Sequence, residues 1–235
     1  LIDFRNVDCM ELMKEFDDNH FDLAIVDPPY GIGADKQSVK PKMCKQKNGT
    51  FLQVSNTNSY TQKDWDDSIP SDEYFEELKR VSKNQIIWGV NYFKNLQGGR
   101  IVWNKMNGES DQYGCEIAYC SFNNRTDVVN YMWCGMIQGN SASKNTTVAN
   151  YQQGNKALNE KRIHPTQKPV KLYAWLLQNY AKEGDKILDT MVGSASSLIA
   201  CHNLGFKVVG CELDTEYYNL AQQRIKEETA QLSFI

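Results

Sequence analysis

Lys186-Ile-Leu-Asp-Thr-Met-Val-Gly-Ser-Ala-Ser-Ser197 reads as a short apolar strand, a turn of small residues and the start of a helix. Such a turn lets backbone N–H groups at a helix N-terminus approach an anionic ligand. Twenty-three positions after Asp189, Glu212 stands just past the next apolar run, Lys207-Val-Val-Gly210. A carboxylate about that far on holds ribose hydroxyls in α/β nucleotide folds. The same residues also suit a plain sheet-to-helix connection, with Gly193 as turn residue and Glu212 as an acid at a helix start. Ala195 stands where a second glycine would help, and no lysine follows the turn as in a P-loop, so ATP binding is disfavoured.

Outward from this unit the chain alternates strand and helix signals. Short apolar runs predict strands at 22–26, 85–88, 100–103, 116–120, 186–188 and 207–210. Apolar residues at 3–4 spacing predict helices at 10–16, 71–81, 170–180, 194–204 and 215–227. Pro169 suits a first helical turn, Gly205 a C-terminal cap and Asp214 an N-cap. Alternation of this kind predicts an α/β fold with an open, mostly parallel, doubly wound sheet and helices on both faces. Ligands of such sheets sit beyond the carboxyl ends of the strands.

Composition narrows the function classes. The 235 residues fit one domain with inserted segments, and 41% hydrophobic residues against 23% charged ones argue for a packed core. A net charge of −3 excludes a binder that is basic all over but not one with a local basic cleft. No apolar run approaches the ~20 residues of a membrane span, and the N-terminal stretch lacks a signal-peptide pattern. The chain begins at Leu1 rather than Met, so residues are expected to precede it. Seven cysteines without a C-x-x-C, and only three histidines, argue against a disulfide framework or a metal site and for a reducing cytoplasm. Two stretches, 35–64 and 123–163, are polar and lack apolar periodicity.

Asp22-Leu-Ala-Ile-Val-Asp-Pro-Pro-Tyr-Gly31 carries the chemistry. A buried strand ends in Asp27, two prolines and an aromatic ring. The prolines remove two donors and stiffen the chain, leaving their carbonyls as fixed acceptors. Asp27 and the Pro28 carbonyl can each accept one N–H of a flat ligand bearing an NH2 group, and the Tyr30 ring can stack on it. A proline-stiffened turn capped by an aspartate is the plain structural alternative.

These residues resemble the catalytic motif of the S-adenosylmethionine-dependent DNA amino-methyltransferases, and Asp27-Pro28-Pro29-Tyr30 matches it in full. The motif order resembles that family's beta class, a circular permutation with the catalytic motif ahead of the cofactor motif. Asn6-Val-Asp-Cys9, Ile87-Trp-Gly-Val-Asn-Tyr-Phe93, Ile101-Val-Trp-Asn-Lys105, His164-Pro-Thr-Gln-Lys-Pro169 and Gly210-Cys-Glu212 resemble its other motifs. The resemblance implies a Rossmann-like methyltransferase domain over 1–235, with a polar, basic loop inserted at 35–64 and a target-recognition insertion at 123–163. It departs in the cofactor loop, where Asp189-Thr-Met-Val-Gly-Ser-Ala195 replaces the usual Asp-Pro-Phe-x-Gly-Ser-Gly. A methyl on residue 195 costs roughly 1 kcal/mol if the backbone there needs positive φ.

The resemblance implies the following roles. Glu212 takes the ribose hydroxyls of S-adenosylmethionine, and Asp8 and the Cys9 backbone face its adenine. Met191 packs on the adenosyl group, Asp189, Gly193, Ser194 and Ser196 line the methionine portion next to Asp27, and His164, Thr166 and Lys168 close over the carboxylate. No metal is implied. Lys36, Lys40, Lys42, Lys45 and Lys47 follow the catalytic turn with no acid among them, which fits phosphate contacts on double-stranded DNA. A second basic stretch holds Lys156, Lys161, Arg162, Lys168 and Lys171. Asn123, Asn124, Arg125, Asn130, Gln138 and Asn140 are of types that read base edges.

The tetrad itself leaves adenine and cytosine open. The resemblance implies methylation of adenine N6, since in that family aspartate at the first position leans toward adenine and serine toward cytosine. The base is expected to be flipped out because its amine is inaccessible inside a duplex. N4-cytosine methylation and a non-catalytic cofactor- and DNA-binding homologue are the alternatives. No attached nuclease domain is expected within 235 residues, and homodimerisation is left open.

Overall fold

The computed structural model describes residues 1–34, 43–45, 49–53, 63–106, 113–134, 137–139 and 159–230. Among the described residues the chain runs β1 (Ile2–Arg5), α1 (Cys9–Lys14), β2 (Phe21–Val26), β3 (Met43–Lys45), β4 (Phe51–Gln53), α2 (Asp72–Val81), β5 (Ser82–Trp88), β6 (Gly99–Asn104) and β7 (Cys115–Cys120). It continues through β8 (Thr126–Asn130), β9 (Met132–Cys134), β10 (Ile137–Gly139), α3 (Val170–Tyr180), β11 (Lys186–Asp189), α4 (Ser196–Leu204), β12 (Lys207–Cys211) and α5 (Thr215–Ala230).

Eight of these strands form one sheet in the order β1-β12-β11-β2-β5-β7-β6-β8. All neighbours pair in parallel except at β7, which is antiparallel to both β5 and β6. The central strands are apolar on both faces because helices cover both. Leu23, Ile25, Ile86 and Trp88 pack with α3 and α4, while the intervening Ala24, Val26 and Ile87 pack with α1 and α2. Alternation along a strand sends neighbouring side chains to opposite faces, so one run feeds two cores. Capping follows the residue chemistry. Asp8 accepts from the amides of Met10 and Glu11 at the start of α1, and Asp214 from those of Glu216 and Tyr217 at the start of α5.

The topology fixes where a ligand can sit. From β11 the chain crosses through α4 to β12, toward one edge. From β2 it crosses through α2 to β5, toward the other. Strands β11 and β2 are neighbours, with Ile187 opposite Leu23 and Leu188 opposite Ala24. The order reverses between them, and a crevice opens at their carboxyl ends. Asp189 ends one strand and Asp27 follows the other.

Residues 126–130, within the stretch that composition groups with the polar insertion, form the edge strand β8. Thr126, Val128 and Asn130 are exposed and Val129 is its buried apolar residue, so the strand carries too little apolar signal to be read in advance. The cap of α4 is Ala195, in the left-handed region at φ 65°, the condition under which its methyl costs stability. Its methyl is fully buried. Burial of one methyl contributes about 0.8 kcal/mol, which offsets part of the roughly 1–2 kcal/mol of backbone strain. Alanine is therefore tolerated where glycine is usual. Among the described residues, no helix is long and apolar enough to cross a membrane.

Candidate active site

Two cavities meet at the crevice. One, of about 310 Å³, lies over β11 and β12 and is lined by Val7, Asp8, Cys9, Met191, Gly193 and Glu212, among others. The other, of about 610 Å³, lies over β5, β6 and β7 and is lined by Pro28, Tyr30, Tyr92, Trp103, Glu116 and Trp133, among others. Asp27, Pro29, Trp65, Thr166, Gln167 and Lys168 line both. Small-molecule sites have volumes in this range.

The first cavity gathers ten of the residues that the sequence assigns to a cofactor: Asp8, Cys9, Asp27, His164, Thr166, Lys168, Met191, Gly193, Ser194 and Glu212. Asp189 and Ser196 stand behind its wall. Asp189 accepts from the Met191 amide at 3.1 Å and from the Ser197 hydroxyl, which ties the strand end to the helix start. Burial pushes its carboxyl up to about 7 against those two hydrogen bonds. Ser196 bonds Ser194 and the buried Arg224. Glu212 accepts from the Gly193 amide at 2.9 Å and the Asp214 amide at 2.9 Å, and burial raises its carboxyl against those bonds. Each oxygen keeps a second lone pair for a ligand.

The turn at residues 27–30 is held by residues that local reading does not reveal. The Asp66 carboxylate, almost fully buried, accepts from the backbone amides of Tyr30, Gly31 and Ala34 at 2.6, 2.9 and 2.8 Å. The Tyr30 hydroxyl donates to Asp27 Oδ1 at 2.6 Å. Lys168 Nζ lies 2.5 Å from Asp27 Oδ2 and 2.9 Å from Glu116 Oε2, and Lys105 Nζ lies 2.5 Å from Glu116 Oε1. The Lys168 ammonium, expected over a cofactor carboxylate, thus rests on Asp27, although its side chain still borders the first cavity. Burial pushes the Asp27 carboxyl up while the Lys168 charge opposes it. Burial also raises Glu116, but Lys168 and Lys105 outweigh it and hold the group down to about 2. His164 is buried beside this cluster, and desolvation, with the Lys168 charge, lowers it to about 3. Its Nδ1 accepts from the Thr166 amide, so the neutral ring carries its proton on Nε2.

Arg224 ties the far side of the first cavity together. Its guanidinium donates to the Ser194 carbonyl at 2.9 Å, the Ser196 hydroxyl at 2.9 Å and Glu160 at 3.0 Å. Glu160 in turn accepts from the Val170 amide at the start of α3.

Lys36, Lys40, Lys42 and Lys47 lie outside the described residues, as do Asn140 and Lys156, and only the backbone of Lys45 is described. Gln138 is buried with both ends of its amide bonded to the Glu160 backbone, at 3.1 and 2.8 Å, so it is committed to the fold. Asn123 accepts from the Arg125 amide and Asn130 from the Asn104 side chain.

The N6/N4 methyltransferase family, described as DNA methylase, matches residues 102–223. Over 94% of this chain and 73% of the relative, the sequence is 25% identical to the type II methyltransferase M.HpaI of Haemophilus parainfluenzae. It is 23% identical to M.HinfI of Haemophilus influenzae over 96% of this chain and 69% of that one. Among solved structures, the M1.HpyAVI–SAM complex covers 95% of this chain and 100% of its own at 18% identity, with a TM-score of 0.52. The PvuII DNA methyltransferase, described as cytosine-N4-specific, covers 98% and 92% at 12% identity, with a TM-score of 0.51. These structural likenesses concern the fold.

Proposed function

The chain belongs to the N6/N4 DNA methylase family, and from that premise we propose that it transfers a methyl group from S-adenosylmethionine to the N6 amine of adenine in double-stranded DNA, on a base turned out of the helix. The observation that carries the reading is Asp27 on the wall shared by the two cavities.

The donor set of the first cavity fits the cofactor. Glu212 offers carboxylate lone pairs suited to a ribose diol, and Val7, Met191 and Leu213 offer apolar surface to a ring. Bound there, S-adenosylmethionine supplies a methyl group on a positively charged sulfur. The second cavity is walled by Tyr30, Trp65, Tyr92, Trp103, Tyr113 and Trp133, surfaces suited to a planar base.

Asp27 accepts one N–H of the amine and the Pro28 carbonyl the other. Two acceptors draw the nitrogen toward tetrahedral geometry and localise a lone pair otherwise delocalised into the ring. Fixed near-attack geometry contributes roughly 7–11 kcal/mol in favourable cases. As positive charge develops on nitrogen the Asp27 carboxylate stabilises it, and can hold the surplus proton once the N–C bond has formed. The lysines at 36, 40, 42, 45 and 47 are proposed to meet DNA phosphates, and the region 123–163 to contact the target sequence.

Adenine is favoured because, in the family that the tetrad resembles, aspartate at its first position leans toward adenine and serine toward cytosine. Incubation with duplex DNA and methyl-labelled S-adenosylmethionine, followed by digestion to nucleosides, tests this. Label in N6-methyldeoxyadenosine supports the proposal. Label in N4-methyldeoxycytidine overturns the base assignment, and no label on duplex DNA of any sequence overturns the activity.

A further inference from the structure

Methyl transfer as argued above gives no task to two ionised groups beside Asp27. Four charges stand in a row, Asp27–Lys168–Glu116–Lys105, with successive N–O distances of 2.5, 2.9 and 2.5 Å. They come from four parts of the fold: the tip of β2, the segment before α3, strand β7 and the residue after β6. The Lys168 side chain is 3% exposed and touches both carboxylates. Such an arrangement is costly to bury unless every member is paired, and here the charges sum to zero.

We propose that Lys168 and Glu116 are positioning residues that set the charge state of Asp27: the ammonium keeps Asp27 an anionic acceptor for the target amine, and Glu116 draws the ammonium away from an exclusive pair with it. The proposal rests on the methyl-transfer reading. A protonated Asp27 has an O–H and fewer lone pairs to offer an amine hydrogen. An Asp27 locked to one lysine has its charge spent on that lysine. A second carboxylate 2.9 Å from the same ammonium resolves the conflict, and Lys105 balances that carboxylate in turn.

The groups facing Asp27 can be enumerated by element. Its own turn supplies Tyr30, and the segment before α3 supplies Lys168, with His164 beyond that ammonium on the same cavity wall. Strand β7 supplies Glu116, with Lys105 behind it, α3 supplies Tyr173, and β11 supplies Asp189. Of these, Lys168 favours the Asp27 anion and Glu116 opposes it. Neutralising the two therefore moves Asp27 in opposite directions, which a merely structural role for either residue does not do.

The test is the pH dependence of kcat/KM for methyl transfer by the full chain at saturating S-adenosylmethionine, in wild type, K168M, K168R and E116Q. Asp189 titrates in all four, and K168M also relieves His164 of the Lys168 charge, so the E116Q limb, in which His164 keeps that charge, reports Asp27 most directly. The K168M limb is expected to move alkaline by about one unit or more, with activity recovering toward wild type as pH rises. The E116Q limb is expected to move acid, and K168R to keep the wild-type limb. Limbs that coincide, that move in the same direction, or a K168M loss equal at every pH overturn the inference. If K168M does not fold, the E116Q limb decides alone: an acid displacement supports the inference and coincidence with wild type overturns it. Absence of turnover by the wild type instead overturns the activity on which the inference rests.

Discussion

The ring of Tyr30 fills the space beside Gly89, where a β-carbon would stand 2.1 Å from the ring's Cε1. Gly89 also adopts φ +76°, a region disfavoured for other residues. The same ring stacks on Tyr92 at a centroid distance of 4.9 Å and 13° between planes. Strand β5 is therefore followed by a glycine against which the tetrad's aromatic ring lies, with its hydroxyl on Asp27.

Replacing Gly89 by alanine should displace Tyr30 and the Asp27 carboxylate it holds. Methyl transfer is expected to fall by about a hundredfold, in line with ~1 Å misplacements elsewhere. Binding of S-adenosylmethionine, followed by calorimetry, should stay within a few-fold, because Gly89 borders the other cavity. Unchanged turnover in G89A would show that the ring's placement is immaterial.

Arg224 makes a second prediction. R224M leaves Glu160 as a buried carboxylate without its guanidinium and frees the Ser194 carbonyl. Breaking a buried pair from one side costs about 3–5 kcal/mol. A urea midpoint lowered accordingly, together with weaker cofactor binding, is the expected outcome. A midpoint within experimental error of wild type would mean that the bridge carries no weight.

The contrast between these two residues shows what the sequence made legible. Strands β2 and β11 are readable because helices cover both faces, so their centres are the apolar runs at 23–26 and 187–188. The order of the motifs already places Asp27 and Glu212 at the carboxyl ends of strands of one sheet; that β11, ending in Asp189, lies between them follows from the pairing. Edge strand β8 is hidden because solvent permits Thr126, Val128 and Asn130 there. Asp66, Glu116 and Lys105 escape local reading because each acts on a partner remote in sequence; Asp66 lies 36 positions from the Tyr30 amide it accepts. Arg224 did leave a signal. It follows Tyr217 and Ala221 at helical spacing on the inward face of α5, and an arginine on such a face calls for a buried partner.

His164 predicts how stability depends on acid. It is neutral in the fold down to about pH 3 because burial, then the Lys168 charge, lowers it. The unfolded chain protonates it near its ordinary value of about 6.5. Between those values the unfolded state binds more protons, so stability falls as pH falls, by up to about 1.4 kcal/mol per unit from this group. Urea unfolding of wild type and H164N at pH 6.5, 5.5 and 4.5 isolates the contribution. The gap between them should narrow or reverse toward low pH; a constant gap would contradict a buried neutral histidine.

The most direct measurement of the central claim is made on Asp27→Ala, with S-adenosylmethionine binding and methyl transfer to duplex DNA followed on the same preparation. Loss of transfer by about a thousandfold or more, with cofactor affinity within a few-fold of wild type, is the predicted result. Methylation at the wild-type rate by that variant would contradict it.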